Sequence, residues 1–450
     1  MPLNGPWHAE LALLPSGVAA RVLIEVDGDR IIAVTPETAP PREALRLHGL
    51  TIPGLANAHS HVYQRALRGR TQREGGDHRG WQRRMHALAA RLDPDRYRML
   101  AAAVYAEMAL AGITAVGEFH CIHQDPGGRR YADPNEMGLS VAAAAAEAGI
   151  RLTLIDVCYL RGDIKGRPLQ GAEVRFGDGD VSAWADRVDR LRPGPLLRIA
   201  AGIDSVRTVN PGAMRLVAGW ATDRSLPLHL HLSERPADNE ECLAVTGLTP
   251  AALADRCGVL GPRTTAVHAT CLSDADVRQV GATRTVVCPC PTSERDRASG
   301  IGRAAAVAAA GSPLCLGSDS NAVIDLFEEA RVMELNERLA TGRRVHHQPP
   351  DLFAAATAAG MAAIGWGDAG RLEAGALADF VTLDLSSTRL AGASDQDLVD
   401  SLVFAAAAAD VTHVVVAGRP VVEERRHLAL PDLGKALADA IRALDEQPGV

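Results

Sequence analysis

Two histidines, His59 and His61, stand one residue apart at the end of the apolar run "TIPGLANAHSHV". On a strand, alternate side chains share a face, so both imidazoles would point the same way. Similar endings recur further along. "PLHLHLSE" offers His229, His231 and Glu234, "AVHATC" offers His268, and "GSDS" offers Asp319. His59, His61, His231 and Asp319 supply three imidazoles and one carboxylate. That donor set suits a catalytic divalent cation, which takes nitrogen and oxygen ligands and keeps a position open for water. Such an ion lowers the pKa of its water toward neutrality. Asp319 can also accept that water's proton. Glu234, three residues past His231, is placed to carry a proton to a leaving group. His268 is placed to polarise the nucleophile or to stabilise charge at the attacked carbon. His229 shares the face of His231 but lies deeper, and reads as support or packing. A lone histidine on a strand is ordinarily a hydrogen-bonded core residue. Titratable groups at the same end of four separate strands are not explained that way.

These residues need a frame that gathers strand ends. Eight strand-like runs alternate with helix-like segments: "LTIPGLANAH", "TAVGEFHC", "RLTLIDVCY", "LRIAAGIDSV", "PLHLHLSE", "TTAVHATC", "TRTVVCPCP" and "SPLCLGSDS". That alternation predicts a parallel sheet. Eight units predict an α/β fold of the (β/α)8 TIM-like barrel type, whose chemistry sits where strands end. The flanks read differently. Residues 18–36 alternate about an Asp27-Gly28 turn, and "GALADFVTLDLSS" and "VTHVVVAGRPVVEE" look alike, so the two chain ends are expected to form a small β-sandwich domain. The expected division is 1–52 and 366–450 for the small domain, with a terminal helix over 431–444, and 53–365 for the barrel.

Composition excludes several partners. A net charge of −8 without a long basic run disfavours nucleic acid and acidic membranes. The start of the chain lacks the pattern of a secretory signal, and the alanine-rich runs at 101–112, 141–148 and 304–310 are too short to span a bilayer. Eight scattered cysteines read as reduced thiols of a cytoplasmic protein, with Cys288 and Cys290 at a buried strand tip rather than on a metal. The expected partner is a small-molecule substrate.

In this order, "PGLANAHSH", "HLHLSE", "VHAT" and "GSDS" resemble the amidohydrolase superfamily, in its single-metal deaminase form. The longer stretches "GEFHCIHQDPGGRRYADPNEMG", "HLSERPADNEECLA", "CPTSERD" and "GSDSNAVIDLFEEARVMELNERL" resemble the N-formimidoyl-glutamate deiminases of histidine degradation. The resemblance implies a hydrolase acting on the C–N bond of a linear amidine, ammonia release, and a homodimer. It implies His59, His61, His231 and Asp319 as metal ligands, Glu234, His268 and Asp319 as catalytic groups, and Gln64 and Arg207 as substrate contacts. One divalent ion is expected. Zinc comes first, and iron(II) and manganese also suit the donors.

Three positions depart from the resembled pattern. Gln82 in "RGWQRR" stands where "WTWRE" places an arginine, Cys121 stands in place of a tyrosine, and Asp204 in "DSVR" stands in place of a histidine. All three fall on the expected substrate-holding residues. Asn321 stands where a histidine is common, beside Asp319. Drift is one explanation, with Arg83 or Arg84 replacing the lost arginine. The other is a changed substrate. Asp204 would repel a carboxylate about 5 Å away by roughly 3 kcal/mol at an effective dielectric of about 20. The sharper expectation is therefore a formimidoyl or amidine compound with fewer carboxylates. Two alternatives stand beside it. One is a ring-amine deaminase of the purine, pterin or triazine type, which an aromatic content of 4% disfavours. The other is a non-catalytic binding paralogue.

Overall fold

The computed structural model of the chain describes residues 5–72, 78–394 and 396–446. Four strands come first: β1 (Trp7–Leu14), β2 (Gly17–Asp27), β3 (Arg30–Thr35) and β4 (Leu45–Pro53). Seven parallel strands follow with helices between them: β5 (Leu55–Ser60), β6 (Ile113–His120), β7 (Arg151–Cys158), β8 (Leu197–Ile203), β9 (Leu228–Leu232), β10 (Thr264–His268) and β11 (Val286–Cys288). The last are β12 (Phe380–Leu383), β13 (Val411–Val416), β14 (Arg419–Glu423) and β15 (Arg426–His427), before a helix over Leu433–Asp445. β6 and β7 are buried along their whole length. Strands covered on both faces read as continuous apolar runs, which is why the sequence pattern exposes them.

The eighth barrel strand, expected at "SPLCLGSDS", is not a regular one, yet its backbone closes the ring. On one side Val287 N–H donates to Pro313 O at 2.9 Å and Cys315 N–H to Val287 O at 3.0 Å. On the other, Ala58 N–H donates to Leu316 O at 2.8 Å and Asp319 N–H to His59 O at 2.9 Å. Pro313 offers no N–H, and Asp319 takes a left-handed φ of 45°, so the ladder breaks where it would otherwise run on. Gly317 lets this segment approach β5. A Cβ there would lie 2.8 Å from both Cβ and O of His59.

The two chain ends form one continuous sheet of eight strands, in the order β15-β14-β13-β12-β4-β1-β2-β3. It curls over its own core, where Trp7 meets Phe380 edge to face at 5.5 Å, and it brings Ile31 N–H onto Ala376 O at 2.9 Å. β4 runs directly into β5, so one stretch of chain serves both sheets. At the pivot, Gly54 leaves no room for a Cβ, which would come within 2.2 Å of Thr114 Oγ1. A buried ion pair also joins the two parts. Arg151 on β7 donates to Asp379, just before β12, at 2.7 and 3.1 Å. No helix among the described residues is long and apolar enough to cross a membrane.

Candidate active site

The four ligand-type residues converge at the C-terminal end of the barrel. His231 Nε2 lies 3.2 Å from His59 Nε2 and 3.4 Å from His61 Nε2, while Asp319 Oδ1 lies 3.5 and 3.7 Å from those of His59 and His61. A tetrahedral ion with bonds of about 2.0–2.1 Å has ligand–ligand edges of about 3.3–3.4 Å, so the donors are spaced for one. Their protonation fits as well. Burial holds His59 well below its ordinary pKa, brings His61 down to about 3, and lowers His231. Neutral imidazoles keep a lone pair for a cation. The Nδ1 of His231 is 3.0 Å from the backbone O of Asp204. A carbonyl only accepts, so Nδ1 carries the hydrogen and Nε2 the lone pair. Asp319 Oδ1 is buried with no hydrogen-bond partner, as a carboxylate oxygen reserved for an ion would be.

Local backbone aims these groups. Asp319 and His268, with φ of 45° and 66°, are both left-handed, a strained conformation that concentrates at functional sites. Asn321 ties the two strand ends together. Its Nδ2 donates to Ser60 Oγ and His61 O at 3.1 Å, and its Oδ1 accepts from Ser318 Oγ at 2.6 Å. His229, one turn of the strand deeper, meets the backbone O of Ala363 at 3.2 Å and stays outside the cluster.

Glu234 and His268 stand beside the donors. His268 Nε2 is 4.0 Å from Glu234 Oε2 and 3.9 Å from Asp319 Oδ2, and its Nδ1 is 3.2 Å from Glu294 Oε1. Burial disfavours the His268 cation, but Glu234, Glu294 and Asp319 outweigh it and raise its pKa. Burial alone would raise the Glu234 carboxyl. Arg297, then His268 and His231, reverse this and hold it below the usual carboxylate range. Asp319 follows the same pattern, with Arg297 again the largest opposing influence. Sequence reasoning had assigned roles to neither Arg297 nor Glu294. Arg297 Nη2 pairs with Asp319 Oδ2 and lies 3.4 Å from both Glu234 Oε1 and His268 Nε2. Glu294 sits in the quoted "CPTSERD", four residues past the Cys290 that ends the β11 run, and that spacing was its available signal.

A cavity of about 130 Å³ opens above this cluster. Gln64, Gln82, Cys121, Asp204 and Arg207, the expected substrate contacts, all line it. Gln64 Oε1 is buried and without a partner. Asp204 accepts from the hydroxyls of Thr208 at 2.7 Å and Ser205 at 3.2 Å. Arg207 does not meet Asp204. It faces Asp238 at 3.8 Å and Glu241 at 3.5 Å, because the helix over Pro236–Thr246 presents both acids toward it. Arg235 pairs with Asp238 at 2.6 Å. Tyr63, Trp81, Tyr159 and Phe176 add four aromatic walls, more than the low aromatic content of the chain suggested.

Two other features do not compete with this site. His120, His123 and Asp156 also cluster, but both oxygens of Asp156 accept from Arg187, at 2.7 and 2.8 Å, and Oδ1 accepts from Trp184 as well. A guanidinium already supplies the positive charge there. A larger cavity of about 640 Å³, around Arg198, Trp220 and Pro227, lies at the opposite end of the strands and holds none of the converging groups.

Residues 50–421 match the model of the amidohydrolase family. The formimidoylglutamate deiminase of Pseudomonas aeruginosa is 35% identical over 435 residues, 93% of this chain and 95% of that protein. An amidohydrolase from Brucella melitensis superposes with a TM-score of 0.90 at 30% identity, covering 98% of this chain and 100% of that one. An adenosine deaminase from Xanthomonas campestris, solved with bound zinc, superposes with a TM-score of 0.81 at 25% identity, covering 98% and 97%. A barrel whose strand ends gather three imidazoles and a carboxylate thus meets its relatives over nearly its whole length, and the chain belongs to the amidohydrolase family.

Proposed function

We propose that the chain is a metal-dependent hydrolytic deiminase, which adds water to a formimidoyl carbon and releases ammonia: R–NH–CH=NH + H2O gives R–NH–CHO + NH3. The convergence of His59, His61, His231 and Asp319 beside Glu234 and His268 carries this reading. A divalent ion held by the first four supplies a water of lowered pKa and a Lewis acid. Asp319 Oδ2, which faces His268 while Oδ1 faces His59 and His61, is positioned to accept a proton from the attacking water. Glu234 is positioned to pass a proton to the departing nitrogen. His268, backed by Glu294, donates toward charge that builds at the attacked carbon.

The substrate we infer bears fewer carboxylates than N-formimidoyl-glutamate. Support comes from the cavity walls, where Arg207 and Arg235 each already face an acid of the protein that lies outside the converging donors. Asp204, Gln82 and Cys121 offer no cation in their place. Metal-loaded protein tested for ammonia release on N-formimidoyl-glutamate, N-formimidoyl-glycine and N-methylformamidine decides the point. High-affinity, efficient turnover of the dicarboxylate would overturn it. One observation favours a second reading, deamination of a ring amine: four aromatic side chains line the cavity, and one of the solved relatives is an adenosine deaminase. Adding a nucleoside and nucleobase panel to the same assay separates the two readings. Glu234→Ala tests the proton-transfer role, and activity equal to the parent would refute it.

A further inference from the structure

We propose that Arg297 selects the substrate: its guanidinium holds Asp319 and Glu234 until the reacting group enters, then turns outward and receives that substrate's carboxylate. The proposal rests on the deiminase reading above and narrows it to compounds with one carboxylate near the formimidoyl group.

The position of the guanidinium carries the argument. Its Nη2 contacts Asp319 Oδ2 and lies 3.4 Å from Glu234 Oε1 and 3.4 Å from His268 Nε2. A water attacking a carbon under the control of these three groups must sit about 3 Å from them. One nitrogen and the reacting atoms cannot share that volume. Turnover therefore requires Arg297 to leave.

Its destination follows from what surrounds it. Arg297 extends from the residue that ends the short helix Pro291–Asp296, and its guanidinium carbon is 5.0 Å from the Trp81 ring centre. Its Nε is buried with no acceptor. The neighbouring cavity wall of Gln64, Gln82, Cys121 and Tyr159 carries no fixed negative charge. Asp238 is engaged by Arg235 and faces Arg207, while Asp204 keeps its charge, bonded by two neutral hydroxyls, on the His231 side of the cavity. Among the described residues, the wall of Gln64, Gln82, Cys121 and Tyr159 offers a displaced guanidinium no carboxylate, and a buried charge without a partner is costly. A substrate carboxylate removes that cost and matches the guanidinium fork with two parallel hydrogen bonds. Among the described arginines lining the cavity, Arg207 and Arg235 face Asp238 and Glu241, which the reaction does not displace, so Arg297 as the receiving cation suits one carboxylate rather than two.

The test compares Arg297→Leu and Arg297→Lys with the parent on N-formimidoyl-glycine, which has one carboxylate, and N-methylformamidine, which has none. The preference for the first over the second, as a ratio of kcat/KM, should fall about 10- to 100-fold in Arg297→Leu, chiefly through KM, and by less in Arg297→Lys. Calorimetric titration with N-formylglycine, the deimination product, should show the Kd rising by a similar factor, whatever the catalytic rate. Melting temperatures verify that both variants fold, and Arg297→Lys retains the buried charge if the leucine variant does not. Equal losses on the two substrates with unchanged N-formylglycine affinity would overturn the proposal and leave Arg297 a buried counter-ion. If no formimidoyl compound reacts but N-formylglycine binding still depends on Arg297, the deiminase reading fails and carboxylate recognition stands. If formimidoyl compounds react with the ratio unaltered in Arg297→Leu, the reverse holds.

Discussion

Asp204→Asn isolates the charge thought to exclude a dicarboxylate. The shape is nearly conserved, and an amide oxygen can still accept from Thr208 and Ser205, which now bond Asp204 Oδ2 at 2.7 and 3.2 Å. The orientation of His231 should survive, because its Nδ1–H donates to the backbone O of Asp204 and not to the side chain, whose Oδ1 lies 3.9 Å away. What changes is one negative charge whose side chain is 22% exposed. Against a substrate carboxylate about 6 Å away, Coulomb's law gives about 2.8 kcal/mol at an effective dielectric of about 20 and about 0.7 at bulk water's. Partial exposure places the site between these limits, so the expected gain in affinity for N-formimidoyl-glutamate is about 3- to 100-fold. The assay is kcat/KM for that compound and for N-methylformamidine at low and high salt, with metal content measured on both proteins. The gain should be confined to the dicarboxylate and should shrink as salt screens the half-open pocket. Equal changes on both compounds, or a gain insensitive to salt, would refute the electrostatic reasoning and point to a shifted His231.

Burial pushes the Glu118 carboxyl up to about 8, whereas an unfolded glutamate titrates near about 4.3. The folded chain therefore holds the extra proton between those values and loses stability as pH rises through that window. Glu118→Gln still accepts from Val62 N–H, now at 2.7 Å, and its melting temperature relative to the parent should climb from pH 5 to pH 8. Arg151→Met strands the buried Asp379 and should cost about 3–5 kcal/mol in denaturant unfolding, with part of the loss recovered on adding Asp379→Asn. Zinc at about a thousand times its Kd should stabilise the parent by about 4 kcal/mol. In His231→Ala thermal scans, that shift should be largely absent.

The ligand-type residues were legible because a barrel converts chain order into position. The last residue of any strand arrives at the same rim, however far apart the strands lie in sequence. His59 and Asp319 are 260 positions apart, yet reading the strand ends alone brings them together. The eighth strand was legible for the same reason, since its apolar run and terminal Asp319 sit where the ring must close, even though Pro313 and a left-handed turn deny it a regular ladder. Pairing order was not legible in the small sheet. β4 lies between β1 and β12 and runs parallel to the first and antiparallel to the second, a choice made by the shared core around Trp7 and Phe380 rather than by any local alternation.

Five lining residues of the cavity were named from the sequence, but the partners of its charged side chains escaped, for a different physical reason. Its walls come from loops and helix ends, where neither a period of two nor of 3.6 marks which way a side chain turns. Arg207 illustrates this. Asp204 is the nearer acid in sequence, but a helix beginning at Pro236 carries Asp238 and Glu241 three residues apart, on one face, and Arg207 faces that pair instead. Arg297 illustrates it more sharply. A six-residue helix sets its Cα, and the length of an arginine lets its head reach Asp319 across the pocket. A shorter side chain at the same backbone position would leave that carboxylate, Glu234 and His268 facing one another unopposed. The placement of the four converging donors is thus a property of strand ends. The cavity wall is shaped by individual long side chains at the rim, so a substitution there should alter the wall without moving the four converging donors.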